Sequence, residues 1–179
     1  NFNSDNCAVG GFTLDYGPFG FMEHFDPEYQ PWTGGGRHFA FFNQPEAAQR
    51  NFHMFWKTVR TWKGFGDAQL DALDTLRKGF PELMQEKLDQ VWVNKLGLAS
   101  HAPTLVQRLL TLMQQTPVDY TIFFRALSDL PDTLTPLRAS FYHSPSVDED
   151  AWTDWLRDWR TALQLDGGLR TAAQVSQQM

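Results

Sequence analysis

A chain of 179 residues with 42% hydrophobic and 20% charged residues carries enough apolar material for one core of ordinary size, in one domain or part of a larger one. Its formal charge of −6 argues against non-specific nucleic-acid binding, which needs a basic surface, and no apolar run approaches the ~20 residues of a membrane-spanning helix. One cysteine excludes an internal disulfide framework and fits a reducing compartment.

The first predicted element centres on Gly10-Gly11. Short runs rich in Val, Phe, Thr and Leu flank the pair, as in a tight two-residue β-hairpin whose glycines supply positive φ. With those glycines as the turn, Val9 faces Phe12, Ala8 faces Thr13, Cys7 faces Leu14 and Asn6 faces Asp15. Opposed residues have Cβ atoms about 4.5–5.5 Å apart, so an amide and a carboxylate converge on one point. Alternation places Asn6, Ala8, Thr13 and Asp15 on one face. Cys7, Val9, Phe12 and Leu14 fall on the other, an apolar face expected to seek the core and to keep the thiol inert.

Two oxygen ligands at this spacing suit Mg²⁺, which takes one or two protein ligands and fills its shell with water and phosphate oxygens. Protein kinases hold their metal through the Asp of an Asp-Phe-Gly segment and a catalytic-loop Asn. Asp15-Tyr16-Gly17 and Asn6 are similar to that pair, and Asp5 is placed to accept a proton from an attacking hydroxyl. The competing reading is a solvated hairpin whose Asn and Asp merely favour turns.

Beyond the hairpin, Phe19, Phe21, Met22 and Phe25 form an apolar cluster, and His24 reads as surface. Residues 27–37 form a loop punctuated by Pro27, Pro31 and Gly34-Gly35-Gly36; the glycines lack the Lys-Ser/Thr of a phosphate loop, and Arg37 and His38 are lesser candidates for meeting anions. Pro45 opens a helix with Phe52, Phe55, Trp56, Val59 and Trp62 on one buried face. A nucleotide-stacking platform is the sharper reading of these aromatics, helix core the plainer one.

Asp67 caps a second helix carrying Leu70, Leu73, Leu76, Phe80, Leu83, Leu88, Val91 and Leu96; Pro81 is expected to kink or divide it, and Gly97 to end it. Pro103 starts a third helix with Leu105, Leu109, Leu112 and Met113 inward, and Asp119 is placed to cap a fourth. Residues 131–145 read as a broken connector. Ser146-Val147-Asp148-Glu149 has capping-box spacing before a helix with Trp152, Trp155, Leu156, Trp159 and Leu163 in one stripe, a core seam or a docking face. Asp166-Gly167-Gly168 stops it, leaving 167–179 as a weakly anchored tail.

Asn3-Ser4-Asp5-Asn6 and the run from Gly11 to Phe21, GFTLDYGPFGF, resemble the signature of the selenoprotein O (SelO) family. Further matches are Phe39-Ala40-Phe41 before Asn43-Gln44-Pro45, and Asp119-Tyr120-Thr121 with Phe124-Arg125. Departures are Ser4 for the usual Thr, Cys7-Ala8 for Met-Ser, and Gly10 for an aliphatic residue. The resemblance implies a protein-kinase-like fold and metal-dependent transfer of AMP from ATP to Ser, Thr or Tyr hydroxyls of proteins.

Under it Asp5 is the catalytic base, Asn6 and Asp15 bind Mg²⁺ or Mn²⁺, and Asp15 also contacts the nucleotide. Arg125 is open to a structural or a substrate role. The implied partners are ATP and protein substrates, with no nucleic acid and no membrane, in the cytoplasm or, for a eukaryotic parent, the mitochondrion.

The expected fold class is α+β and mainly helical: an N-terminal β-hairpin, then a helical bundle, forming part of the C-terminal lobe of a kinase-like fold. The expected layout is a metal-site hairpin with loops over 1–44, a helical region over 45–166, and the tail. The family's nucleotide lobe would precede Asn1, so the chain reads as a fragment. Kinase-like phosphoryl transfer, or a non-catalytic helical module, are the alternatives.

Overall fold

The computed structural model describes residues 1–17, 20–32, 34, 36–145 and 148–165. Among them run five α-helices: α1 (Gln44–Val59), α2 (Asp67–Leu96), α3 (Pro103–Gln115), α4 (Tyr120–Leu127) and α5 (Glu149–Leu165). Short 3₁₀ turns occupy Ser4–Asn6, Arg37–Phe39, Phe41–Asn43 and Thr135–Ser140. The chain divides into two units, Asn1–Phe21 with Asp26–Glu86, and Met22–Phe25 with Lys87–Met179.

The described residues contain no β-strand, only isolated antiparallel bridges at Cys7–Thr13 and Val118–Phe141. The expected hairpin is therefore corrected to a bridged loop, in a different register. Ala8 N donates to Phe12 O (2.9 Å), and Gly11 N donates to Ala8 O (3.0 Å). Gly11 takes φ +85°, whereas Gly10 is not in the positive-φ region. A two-residue primed turn would need positive φ at the first glycine, and type I′ at both; one left-handed glycine after a tight turn makes a three-residue loop instead. A one-residue slip exchanges the faces. Leu14 N thus donates to Asn6 O (2.7 Å), and Asn6 does not face Asp15. The face expected to be buried is open, with Val9 82% and Phe12 62% exposed.

In the first unit α1 buries Ala47 and Ala48, not the aromatic stripe: Phe55 and Trp62 are exposed, and Trp62 lies past the helix end. Phe52 does pack, stacking on Phe80 of α2 at 4.3 Å. That contact pins the residue before Pro81, and α2 runs unbroken through the proline. Leu76, Leu83 and Val91 remain exposed along it. Of the expected cluster, Phe21 is exposed, Met22 and Phe25 pack in the core of the second unit, and Phe19 lies outside the described residues.

The second unit is built on α5. Trp152, Trp155 and Trp159 are fully buried, and each indole N–H finds an acceptor. Trp159 donates to Leu96 O (2.9 Å), Trp155 to Leu105 O (2.9 Å), and Trp152 to Thr116 Oγ1 (3.3 Å). The stripe is a core seam. Leu105, Val106, Leu109, Leu112 and Met113 of α3 and Phe123, Phe124 and Leu127 of α4 complete the cluster with Phe25, which stacks on Tyr120 at 5.6 Å. Burial keeps the Tyr120 hydroxyl protonated well above its ordinary range. Lys95 Nζ lies 4.3 Å from the Phe124 ring and 4.7 Å from that of Tyr120, and its burial lowers the amine's pKa.

Local signals close the helices as expected at two ends. Gly97 (φ +67°) accommodates the left-handed turn in which Leu98 N donates to Val93 O (2.9 Å) and Gly97 N to Asn94 O (3.1 Å), ending α2. Asp119 Oδ1 accepts from Ile122 N (2.8 Å), capping α4. The connector expected over 131–145 instead contains the 3₁₀ turn, which buries Leu137 and Ser140. Leu130 sits at φ +56°, a conformation costing a side chain about 1–2 kcal/mol; Arg160 Nη1 holds it by donating to Leu130 O (2.6 Å) and Pro131 O (3.0 Å). The expected cap at Ser146-Val147, the stop at Asp166-Gly167-Gly168 and the 167–179 tail lie outside the described residues.

Trp159→Phe keeps a buried ring but orphans the Leu96 carbonyl, and is expected to cost about 1–3 kcal/mol; Trp159→Ala adds a cavity and costs about 3–5 kcal/mol. Asp119→Ala costs about 1 kcal/mol by uncapping α4. Urea unfolding followed by far-UV circular dichroism measures all three. Equal midpoints for Trp159→Phe and the parent would show that the indole hydrogen bond contributes nothing.

Candidate functional site

The N-terminal segment is organised by amide side chains. Gln44, at the start of α1, accepts from Phe2 N (2.8 Å) through Oε1, while its Nε2 donates to Phe39 O (2.6 Å) and Ala40 O (3.3 Å). Asn51, two turns along α1, donates to Phe2 O. Asn43 donates to Arg37 O (2.8 Å), closing the turn before the helix. The Asn-Gln-Pro segment thereby fixes the chain just ahead of Ser4-Asp5-Asn6. Ala40, fully buried, is where these contacts converge.

Asn6 ends the 3₁₀ turn and is 8% exposed. Its Nδ2 donates to Asn1 Oδ1 (2.6 Å) and Asn1 O (3.1 Å). A main-chain carbonyl can only accept, so Asn6 must present its NH₂ there, and Oδ1 is left as an acceptor. Asp15 is exposed and spends Oδ1 on the N–H of Gly17 (3.1 Å), leaving Oδ2 for another partner. Gly17 stands between these two ligand candidates at φ +68°; a Cβ there would lie 3.2 Å from Asn6 Nδ2 and 2.9 Å from Asn1 Nδ2. Glycine is required here both by the left-handed backbone and by the approach of two amides. Asn1 N also donates to Tyr16 O (2.8 Å), tying the two ends of the loop.

Asp5 is exposed in the same 3₁₀ turn, with Ser4 Oγ at 3.5 Å from its carboxylate. Cys7 is half-buried and unpaired with another sulfur. Among the described residues no three His, Cys, Asp or Glu side chains gather at metal-binding distance. A cation here would take Asn6 and Asp15 and complete its shell from water and phosphate, the donor set that Mg²⁺ accepts and Zn²⁺ does not favour.

Other candidates fall elsewhere. Arg37 pairs with Glu28 (2.7 Å). Arg125 is exposed, with no acidic partner among the described residues. A cavity of about 560 Å³ along α3 and Ala151 is lined by neither Asp5, Asn6 nor Asp15. The sequence marks Gln44 only as part of the Asn-Gln-Pro match and does not mark Asn1 or Asn51, because an amide that bonds a backbone group far along the chain leaves no periodic trace.

The family model described as protein adenylyltransferase SelO matches residues 1–179. The protein nucleotidyltransferase YdiU of Aromatoleum aromaticum is 34% identical over 164 residues, covering 86% of this chain and 31% of that protein. Its counterpart in an Azoarcus species is 33% identical over 176 residues, covering 96% and 32%. That of Rhizobium johnstonii is 34% identical over 172 residues, covering 92% and 33%. The chain spans about a third of the length of these curated relatives. With every residue inside the matched family model, this chain belongs to the SelO family of protein adenylyltransferases.

Proposed function

We propose that this chain carries the base and the metal ligands of an enzyme that transfers AMP from ATP to Ser, Thr or Tyr hydroxyls of proteins. The observation that carries the reading is the gathering of Asn6 and Asp15 around Gly17, each keeping one oxygen uncommitted, in a chain matched throughout by the adenylyltransferase family. Asn6 and Asp15 are the residues that would hold Mg²⁺ or Mn²⁺, and Asp15 also adjoins the nucleotide. An ion held there would supply neutralisation of phosphate charge and alignment for in-line displacement.

Asp5 orients the incoming hydroxyl and takes its proton. The hydroxyl oxygen forms a bond to the α-phosphorus, the bond from that phosphorus to the β-bridging oxygen breaks, and pyrophosphate leaves. Phosphoryl transfer would use the same base and metal but break the γ-phosphorus bond instead. ATP labelled at the α- or the γ-phosphate separates them when incubated with the parent-length protein and a protein acceptor. Label retained on protein from the α position alone supports AMP transfer; label from the γ position alone overturns it; retention from neither favours a non-catalytic module.

Asp5→Ala in the parent-length protein is expected to lower turnover 10²–10⁴-fold with little change in Mn²⁺ affinity. Unchanged turnover would remove Asp5 from the chemistry. Gly17→Ala is expected to cost about 1–2 kcal/mol of stability from the left-handed backbone. By displacing Asn6 it is also expected to weaken Mn²⁺ binding, read by water-proton relaxation at a temperature where the variant is folded. Unaltered Mn²⁺ affinity in that folded variant would detach the metal from this loop.

A further inference from the structure

At the C-terminal end of α1 a cavity of about 380 Å³ opens beside the Trp56 indole, lined by His53, Trp56, Lys57, Arg60 and Thr61. The cations around it are crowded. The Arg77 guanidinium of α2 lies 4.9 Å from the indole centroid and that of Arg60 5.7 Å, while the His53 ring stacks on the same indole at 5.2 Å. One carboxylate is in contact with this group: Asp74 accepts from Trp56 Nε1 (3.1 Å) and Arg60 Nε (3.1 Å).

Asp74 therefore fixes the ring and one guanidinium without balancing the set. Arg77 Nε is buried with no hydrogen-bond acceptor. Lys57 has no ion-pair partner among the described residues. Basic residues at a helix C-terminus commonly serve the helix end itself. Here that role is already filled by backbone and hydroxyl donors: Trp56 O accepts from Arg60 N (2.9 Å), Val59 O from Trp62 N (3.0 Å), and Thr58 O from Thr61 N (3.1 Å) and Thr61 Oγ1 (2.7 Å). Arg60 and Arg77 share the Trp56 ring with the Asp74 carboxylate in contact, and Lys57 lines the cavity beside them, in a chain whose formal charge is −6.

We propose that this cavity is a binding site for a phosphate-class oxyanion, held by Lys57 and Arg60 beside the Trp56 indole, with the Arg77 guanidinium over the same ring adding positive charge. The guanidinium forks match phosphate oxygens, and an anion relieves the repulsion among cations sharing one ring. The volume exceeds that of a single phosphate and accommodates pyrophosphate or the phosphate chain of a nucleotide. The site is independent of the proposed metal and base residues, none of which lines it.

The test follows the Trp56 indole N–H in ¹H–¹⁵N NMR spectra of the metal-free 179-residue chain, assigned with Trp56→Phe. Sodium phosphate, sodium pyrophosphate and ATP are titrated separately at constant ionic strength. A saturable shift of the Trp56 resonance is expected, with pyrophosphate binding at least tenfold more weakly to Lys57→Glu, whose exposed substitution preserves the circular dichroism spectrum. Pyrophosphate binding as tightly as ATP assigns the site to inorganic polyphosphate; ATP binding tenfold more tightly assigns it to a nucleotide. No shift, a shift that grows without saturating, or equal binding by Lys57→Glu would overturn the proposal.

Discussion

The three buried indoles of α5 fix the second unit. A tryptophan offers a large apolar surface and one obligatory donor, so burying it demands both a shaped cavity and an acceptor in one direction. Trp159 finds its acceptor at the end of α2, Trp155 in the first turn of α3, and Trp152 on Thr116 beyond α3. The end of α2 and both ends of α3 are thereby set against a single helix by position as well as by apolar area. Thr116 passes the constraint on, since its hydroxyl donates to Asp148 (3.0 Å) just ahead of α5. The Arg108–Asp158 pair (2.6 Å) runs along the edge of the same packing, where the Arg108 hydrogen bond holds the Asp158 carboxyl below the ordinary range. Being exposed to solvent, it contributes far less than the buried ladder.

The first unit solves a different problem. Its N-terminal loop has exposed apolar side chains and a single bridge, so neither a sheet nor a core holds it in place. Amides hold it instead. The side chains of Asn6, Gln44 and Asn51 bond backbone groups at Asn1, Phe2, Phe39 and Ala40, and the left-handed glycine at 17 lets the loop close on them. An anchor of this kind draws on amide side chains, backbone groups and one oxygen of Asp15, which accepts from Gly17 N, rather than on ion pairs. It also concentrates sensitivity: one added methyl at Gly17 meets two amides at once.

The same unit separates its charges in space. Asp15 and the Asn6 amide flank Gly17, and the Arg60 and Arg77 guanidiniums lie over Trp56 at the far end of α1 from Gln44. The proposed hard-cation site and the proposed oxyanion site thus draw on opposite ends of one 16-residue helix. That arrangement follows from where α1 begins and ends, since its first residue tethers the N-terminal loop, its last turn carries Lys57, and Arg60 caps its C-terminus.

What the sequence determined by itself was local or periodic. Pro45 and Pro103 opened helices, Gly97 and Asp119 closed or capped them, and the Trp152-Trp155-Trp159 spacing marked one buried stripe, because each signal acts within a turn or two of chain. The family signature was legible too, since it lies in residue identities. Tertiary structure decided the rest. It chose one left-handed glycine over two, which moved the loop register and turned Val9 and Phe12 outward. It kept α2 continuous through Pro81 and left Phe55 and Trp62 exposed despite their helical spacing. It also recruited Gln44 and Asn51 to place the candidate ligands. Periodicity states which residues share a face; only the neighbours that meet that face determine whether it is covered, and a hydrogen bond across 49 residues is visible only once both ends are in place.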